Sequence, residues 1–324
     1  MKYMNLFISC TLLFFLTSCS SSSSQDVHTS KIGLLLPQTI DDQGWNSKGY
    51  QGMLKVQASL NVDVLMREDT STFESVNTAV QEFVKEDVSL IIGHSHIYAD
   101  FFMVLKDEYP DIHFVSFNGD VEGDNITSVH FEGYAMGYFA GMLASELSQT
   151  NTIGVIGAFQ FQPEIQGFKD GALFHKPTVT VLVDYVDSWV NKDKAITIFH
   201  EMKEEESDIF YPAGDGFHID IIEEVKKEGL HAIGYVGDQI DLGESVILTS
   251  TVQEIEDLYE HIAKQYRQGE LMSGNQYFDF QEGVISMGEF GQEVPEETVR
   301  WLTEVIDTYI ETSELPTEHT NDTY

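Results

Sequence analysis

The feature that most constrains the fold of this chain is a regular alternation, from Lys31 onward, of short apolar runs with longer segments of helical periodicity. Residues 45–60 predict one helix. Between Phe73 and Val84 the large apolar residues follow at spacings of 3, 4, 3 and 1, which places them on one helical face. The apolar runs are residues 32–36, 62–66, 89–92, 112–117, 153–156, 179–183, 209–211 and 231–236. Strands and helices that alternate in this way form βαβ units and a parallel sheet.

The alternation restarts near residue 153, after a long predicted helix at residues 133–148. Since each run is almost wholly apolar, we expect helices to cover both faces of each sheet. A length of 324 residues is enough for two domains. The sequence therefore predicts an α/β protein with two sheets.

The N-terminus has the pattern of a bacterial export signal with a lipid anchor. A basic residue precedes an apolar run at residues 6–16, which is too short to span the roughly 30 Å hydrocarbon core of a bilayer as a helix. Residues 16–19, Leu-Thr-Ser-Cys, resemble the bacterial lipobox, and five serines follow. The resemblance implies a signal peptide at residues 1–18, a lipid-modified Cys19 and a flexible tether at residues 19–30. The alternative is an ordinary signal peptide with a chance cysteine.

A lipid-modified Cys19 would hold the mature protein on the extracytoplasmic face of the cell membrane. Two or more acyl chains anchor a protein stably, whereas one chain binds only marginally. The sequence has one other cysteine, Cys10, which lies within the signal peptide. The folded body therefore has no cysteine from which to form a disulfide.

The charge of the chain excludes one class of function. The sequence has 17 Lys and Arg against 54 Asp and Glu, which gives a formal net charge of −37. Binding to nucleic acid or to anionic lipid requires clustered basic residues, but Arg67, Arg267 and Arg300 are scattered. We therefore expect no direct nucleic-acid binding. The acidic surface either resists aggregation or suits a salt-rich or alkaline habitat.

Polar residues follow the predicted strands, at the sheet edge where ligands bind in open α/β folds. The candidate ligand-binding residues of this kind are Asp42, Trp45, Asn46, His94, Asn118, Gly214, Asp215, Phe217 and Asp238. An aromatic ring with carboxylates and amides suits a small polar ligand, because the ring stacks on a flat face and the acceptors fix hydroxyls or amines. Alternatively, Trp45 packs against a helix, and Asp42 caps the helix that begins near Trp45.

No pattern in the sequence supports catalysis or a bound cofactor. His94, His96 and His113 lack cysteine or carboxylate partners at the spacing of a metal site. Residues 93–97 lack the second glycine of a nucleophile elbow, and neither a P-loop nor a G-x-G-x-x-G motif occurs. We therefore expect a binding protein and not an enzyme, with no metal and no cofactor.

Gly133, Gly137 and Gly141 recur every four residues in the long central helix. In a membrane such a stripe of small residues pairs helices. This segment is too short to span a bilayer. Glu132 directly precedes it, and Glu146 lies within it. The spacing therefore predicts close packing against another helix inside a soluble core.

Several segments resemble the basic membrane protein family, the lipid-anchored nucleoside-binding receptors of ABC transporters. Residues 41–46, Asp-Asp-Gln-Gly-Trp-Asn, and residues 49–52, Gly-Tyr-Gln-Gly, resemble the opening motif of that family. Further matching segments, in the family's order, are residues 109–117, 125–131, 137–141, 212–214 and 248–250. The resemblance runs from about Lys31 to past Tyr266. It implies a type I periplasmic-binding-protein fold, with two doubly wound α/β lobes, three crossovers and a ligand cleft.

That fold implies a division of the chain into two lobes. The N-terminal lobe is expected to comprise residues 31–128 and 251–285. The C-terminal lobe is expected to comprise residues 129–250 and 286–315. We expect the polar, acidic tail at residues 316–324 to be disordered.

The resemblance also assigns roles to single residues. Nucleoside receptors of the family sandwich the base between aromatic rings and hold the ribose with an aspartate and a lysine. Trp45 takes the place of a stacking ring, and Asn118 that of the aspartate after the fourth strand. The ribose aspartate falls on Val236 and the ribose lysine on Gln253, which joins the candidate ligand-binding residues. Because valine has no acceptor, ribose hydroxyls would be left unpaired at about 1–3 kcal/mol each.

Two functions follow from the resemblance. Residues 234–239, 241–244 and 248–253 are most similar to a branch of the family that positively regulates competence gene expression. The first hypothesis is therefore a membrane-anchored binding-fold lipoprotein that acts on these genes indirectly, through a permease or a protease in the membrane. The second is the substrate-binding lipoprotein of a nucleoside-type ABC transporter. Val236 and Gln253 favour the first.

Overall fold

Two six-stranded sheets organise the computed structural model, which describes residues 31–42 and 44–319 except for the side chains of Asp42 and His319. The strands are β1 (Lys31–Leu35), β2 (Asp63–Arg67), β3 (Leu90–Gly93), β4 (His113–Phe117), β5 (Ile126–Phe131), β6 (Thr152–Gly157), β7 (Thr180–Tyr185), β8 (Ile209–Ala213), β9 (His231–Val236), β10 (Ile247–Gln253), β11 (Gly274–Phe278) and β12 (Ile285–Met287). The helices are α1 (Trp45–Leu60), α2 (Phe73–Lys85), α3 (Ile97–Leu105), α4 (Gly133–Leu147), α5 (Pro163–His175), α6 (Lys192–Glu204), α7 (His218–Glu228), α8 (Ile255–Gln268), α9 (Glu296–Thr312) and α10 (Pro316–His319).

The strand order of each sheet shows the path of the chain between the lobes. The first sheet has the order β11-β5-β4-β3-β1-β2 and the second β12-β10-β9-β8-β6-β7. Neighbouring strands are parallel except β10 and β12, which are antiparallel. The chain crosses between sheets after β5, β10 and β11. This arrangement confirms the predicted type I periplasmic-binding-protein fold with three crossovers.

The lobe boundaries differ slightly from the predicted ones. The expected breaks at residues 128 and 250 lie inside β5 and β10, which continue in their own sheets to Phe131 and Gln253. Each of these strands belongs to a single sheet over its whole length, because its backbone N–H and C=O groups pair with those of the neighbouring strand. The crossovers therefore lie in the short turns that follow these strands.

Burial periodicity explains how the helices attach to the sheets. In α2 the Thr72 hydroxyl caps the helix by accepting from Ser75 N (3.2 Å), while Val76, Val80 and Phe83 are fully buried against the sheet. One large cluster of buried apolar side chains runs through both lobes, and two smaller clusters fill the outer faces of the sheets.

Among the described residues, no helix combines the length and the apolar character needed to cross a membrane.

The glycine stripe of α4 makes backbone contact with α5. A Cβ at Gly137 would lie 2.0 Å from the Glu164 carbonyl oxygen, and one at Gly141 would lie 1.9 Å from that of Phe168. The contact is reciprocal, because a Cβ at Gly171 of α5 would lie 2.0 Å from the Tyr138 carbonyl oxygen. The prediction of close helix packing is confirmed. The pair α4–α5 also positions the loop before α5, which belongs to the site described below.

The C-terminal tail departs from the prediction at its start. Pro316–His319 forms the short helix α10, so a disordered tail from residue 316 is wrong for this segment. Leu315 packs against the core, and its backbone N donates to the Glu318 carboxylate (2.6 Å). These contacts order a polar segment that composition alone marks as disordered. Residues 320–324 lie outside the described part of the chain.

Candidate functional site

A cleft of about 760 Å³ lies between the two lobes, at the carboxyl ends of their strands. Its wall includes five of the predicted ligand-binding residues, namely Trp45, Asn46, Asn118, Asp215 and Gln253. A more open depression of about 490 Å³ involves residues 67–82 of the first lobe alone. The cleft is the better candidate site, because both lobes contribute to it and it lies where open α/β folds bind ligands.

Trp45 is held in the first-lobe wall by the buried His94. The two rings are stacked, with centroids 4.2 Å apart and planes 9° apart. Trp45 Nε1 donates to the His94 carbonyl oxygen (2.8 Å), and His94 Nε2 donates to that of Trp45 (2.8 Å). Because a carbonyl oxygen only accepts, His94 Nε2 carries a proton, and Nδ1 is hydrogen-bonded to the Tyr259 hydroxyl (2.8 Å). His94 therefore orients Trp45 from behind and does not face the cleft.

A second group of rings lies on the opposite lobe. Phe159 and Phe161 are stacked at 5.3 Å, and the Trp189 ring lies 5.4 Å and 6.3 Å from them. Phe161 is 67% exposed, and its centroid lies 6.4 Å from that of His96 on the first lobe. Phe161, Trp189 and His96 line the cleft. Aromatic surface is therefore available to a ligand from both lobes.

Glu164 provides a buried carboxyl in the second-lobe wall. Its Oε1 accepts from Gln162 Nε2 (2.9 Å) and from the Tyr235 hydroxyl (3.0 Å). Burial raises the pKa of this carboxyl above its ordinary value, although both hydrogen bonds oppose the shift. Sequence reasoning missed Glu164, Gln162 and Tyr235. The signal was present for the first two, because Gln162 ends the loop that follows β6 and Glu164 lies in the first turn of α5 directly after it.

The backbone at two strand ends of the cleft is left-handed. Val236, the last residue of β9, has φ +67°, and Asn118, directly after β4, has φ +56°. Asparagine and aspartate tolerate this conformation, whereas for a β-branched residue it is strained. The position to which the family resemblance assigns the ribose aspartate thus keeps a backbone that suits aspartate better than valine. Nearby, Gln253 is 9% exposed and its Oε1 has no hydrogen-bond partner among the described residues.

Three other predicted ligand-binding residues lie behind the cleft wall. Phe217 is fully buried, with its ring packed over Gly214, where a Cβ would lie 2.2 Å from it. Asp238 joins two loops, because its carboxylate accepts from Ile240 N (3.2 Å) and Glu289 N (2.9 Å). Gly214, Phe217, Asp238 and the His94 ring behind Trp45 are thus not among the residues that line the cleft, and their direct contact with a ligand stays a prediction. The end of a parallel strand predicts where the following loop lies, but it does not predict the direction in which each side chain of the loop points.

Two predicted residues lie outside what the structure describes. These are Cys19 and the side chain of Asp42. The Asp42 backbone ends a 3₁₀ turn at Ile40–Asp42, directly before α1. Beyond it, a Cβ at Gly44 would lie 3.0 Å from Asp215 Oδ1, so the loop that carries the predicted aspartate approaches the second lobe.

The sequence matches the model of a known protein family over nearly all of the described residues. Residues 29–319 match the model for Bmp, described as ABC transporter substrate-binding protein PnrA-like. The chain belongs to the Bmp family. Bmp proteins are solute-binding proteins of ABC transporters, which agrees with a cleft of this size between two lobes and with the expectation of a binding protein.

Individual relatives of this Bmp protein fall into two groups. The "Transcriptional activator protein med" of Bacillus subtilis is 42% identical over 306 residues, which are 94% of this chain and 96% of that protein. The crystal structure of a "Transcriptional Activator of comK gene" from Bacillus halodurans has 49% identity and a TM-score of 0.83, covering 88% of this chain and 99% of that one. A purine-binding protein of Brucella abortus is 24% identical over 88% of this chain and 82% of its own. The predicted similarity to the regulatory branch of the family is confirmed.

Replacing Glu164 with glutamine is expected to raise the free energy of unfolding, and to raise it more at pH 8 than at pH 5. The raised pKa means that the folded chain holds a proton that the unfolded chain releases above about pH 4.5, so the wild type loses stability as the pH rises. Glutamine keeps an oxygen that accepts from Tyr235 and cannot ionise. Denaturant unfolding of both proteins at the two pH values measures the difference. An equal or smaller gain at pH 8 would contradict burial as the cause.

Proposed function

We propose that this Bmp protein is a lipid-anchored extracytoplasmic regulator that binds a small molecule in its cleft and promotes competence gene expression indirectly. The observation that carries the proposal is the composition of the cleft. Trp45 lines the cleft, and so do Val236 and Gln253, which stand where the family resemblance assigns the ribose aspartate and lysine. The 42% identity to Med supports a role other than nucleoside uptake.

The anchor is proposed from the sequence of the N-terminus. Residues 16–19 resemble a lipobox, and a serine-rich stretch separates Cys19 from the first strand at Lys31. We propose that this stretch links the lobes to the bilayer. The cell membrane, on its extracytoplasmic face, is therefore the proposed location.

Indirect action is proposed from the charge. With a net charge of −37, the protein is repelled by the phosphates of DNA, and it would lie on the other side of the membrane from a promoter. A membrane protein must then transmit the state of the cleft, and a permease or a protease is the kind of partner we propose. The expected signal is a ligand-dependent change in the relation of the two lobes, which meet at Phe161 and His96.

The second candidate function is the substrate-binding lipoprotein of a nucleoside-type ABC transporter. It is favoured by the Bmp family itself and by the stacking surface of Trp45. Permease and ATPase genes beside the gene for this protein would favour transport over regulation.

A labelling experiment tests the proposed anchor and role together. Cells that express the wild type are expected to incorporate radioactive palmitate into the protein, whereas cells with Cys19→Ala are not. A competence-gene reporter should also fall in the variant, because the unanchored protein leaves its membrane partner. Cys10→Ala is the matched control and should change neither readout. Unchanged labelling in Cys19→Ala, or tight and salt-sensitive binding of the purified protein to a promoter fragment, would overturn the proposal.

A further inference from the structure

The cleft wall has acidic side chains and lacks the strongly basic ones. Glu164 and Asp215 contribute carboxyl groups, whereas no Lys or Arg of the described residues lines the cleft. The nearby Lys48 is engaged by Glu256 on its own lobe, with Nζ and Oε1 3.1 Å apart. A ligand with a phosphate or carboxylate group would meet no strong countercharge here. An anionic ligand is therefore disfavoured.

Two buried side chains of the cleft wall, Glu164 and Gln253, carry acceptor oxygens. Glu164 is 5% exposed, and a Cβ at Gly133 would lie 3.2 Å from its Oε2, which places this oxygen beside the cleft-lining start of α4. Gln253, which is nine-tenths buried on the neighbouring wall, has an Oε1 with no partner among the described residues. A buried carboxyl without a cationic partner is costly, so a ligand that brings positive charge and N–H donors gains more here than a neutral one.

The aromatic surface favours the same kind of ligand. Trp45 lines the first lobe, and Phe161, Trp189 and Tyr235 line the second. The faces of such rings attract cations, and Trp does so most strongly. The net charge of −37 further raises the local concentration of cations near the protein.

We infer that the cleft binds a small organic cation with a flat, hydrogen-bond-donating head, such as an amidinium or a guanidinium. The head donates to the Glu164 carboxylate and to Gln253 Oε1, while its flat face lies on the indole of Trp45. The inference rests on the proposed function of the cleft as a ligand site and names the class of ligand. It separates this Bmp protein from receptors for neutral nucleosides, in which positive charge on the ligand is not required.

The test compares benzamidine with benzamide, which have the same shape but differ in charge. Calorimetric titration of the lipid-free chain at pH 8 is expected to show benzamidine binding at least tenfold more tightly than benzamide. Glu164→Gln should reduce this preference to about onefold, because a neutral side chain no longer favours the charged probe over the neutral one. Glu293→Gln, at an exposed position away from the cleft, removes the same charge and should keep the wild-type preference.

The outcomes distinguish this inference from the proposed function. Equal binding of the two probes, or a preference that persists in Glu164→Gln, overturns the cationic ligand but leaves the cleft as a ligand site. Absence of binding by both probes overturns the inference too, while palmitate labelling and the reporter still test the anchored regulator. If Glu164→Gln does not fold, Asp215→Asn replaces it and should weaken the preference for benzamidine at least threefold.

Discussion

Replacing Gly141 with alanine is expected to lower the free energy of unfolding by about 3 kcal/mol, or to prevent folding. In an unobstructed helix this change would stabilise by up to about 1 kcal/mol, because alanine is the better helix former. Here the added Cβ would lie 1.9 Å from the Phe168 carbonyl oxygen and 3.0 Å from Ala172 N, which are backbone atoms of α5. The helices must therefore separate, and overpacking of this kind costs about 1–3 kcal/mol or more.

Denaturant unfolding followed by circular dichroism measures this loss. Gly229→Ala is the control, because no atom lies within 4 Å of its added Cβ and its φ of +68° is the sole obstacle. That control should lose about 1–2 kcal/mol. Gly171→Ala tests the contact from the other helix and should resemble Gly141→Ala. A stabilising Gly141→Ala would show that α4 and α5 are not in backbone contact.

The double variant Val236→Asp with Gln253→Lys is expected to bind adenosine on the order of 100-fold more tightly than the wild type. Both residues line the cleft, and the left-handed φ of Val236 is one that aspartate tolerates. A carboxylate there would accept from two ribose hydroxyls, and two hydrogen bonds to a charged group contribute about 3 kcal/mol together. The lysine keeps the net charge of the cleft unchanged.

Calorimetric titration measures this gain, and Val190→Asp with Gln253→Lys is its matched control. Val190 also lines the cleft but is 48% exposed, so an aspartate there adds the same charge at the wrong place. The control should bind adenosine no more tightly than the wild type. An equal gain in both double variants would mean that charge, and not position, restores binding.

Sequence patterns predicted the two-sheet fold because most strands are continuous apolar runs covered by helices. β5 was not among the predicted strands, because Thr127, Ser128 and His130 interrupt its apolar residues. In the structure Thr127 is buried and its hydroxyl donates to the Met272 carbonyl oxygen (2.8 Å), a partner 145 positions away. β10 has the same character, with three buried hydroxyl residues at 249–251. Such strands depend on distant partners that local periodicity does not contain.

The candidate site was predicted in part for a similar reason. The end of a parallel strand fixes where a loop lies, and this rule located Trp45, Asn118 and Asp215 at the cleft. It does not fix the direction of a side chain within the loop. Phe217 therefore turned out to fill the core of the second lobe. Glu164 was missed although it lies in the first turn of the helix that follows a predicted strand.

The central claim is that this Bmp protein keeps the cleft of its family but lacks the groups that hold a ribose. Titration of the purified wild type with inosine, guanosine and adenosine, followed by calorimetry and tryptophan fluorescence, tests it most directly. The account predicts no binding at micromolar concentrations for any of the three, because Val236 and Gln253 offer no charged partner to the ribose hydroxyls. A dissociation constant in the micromolar range or tighter for any one of them would contradict it.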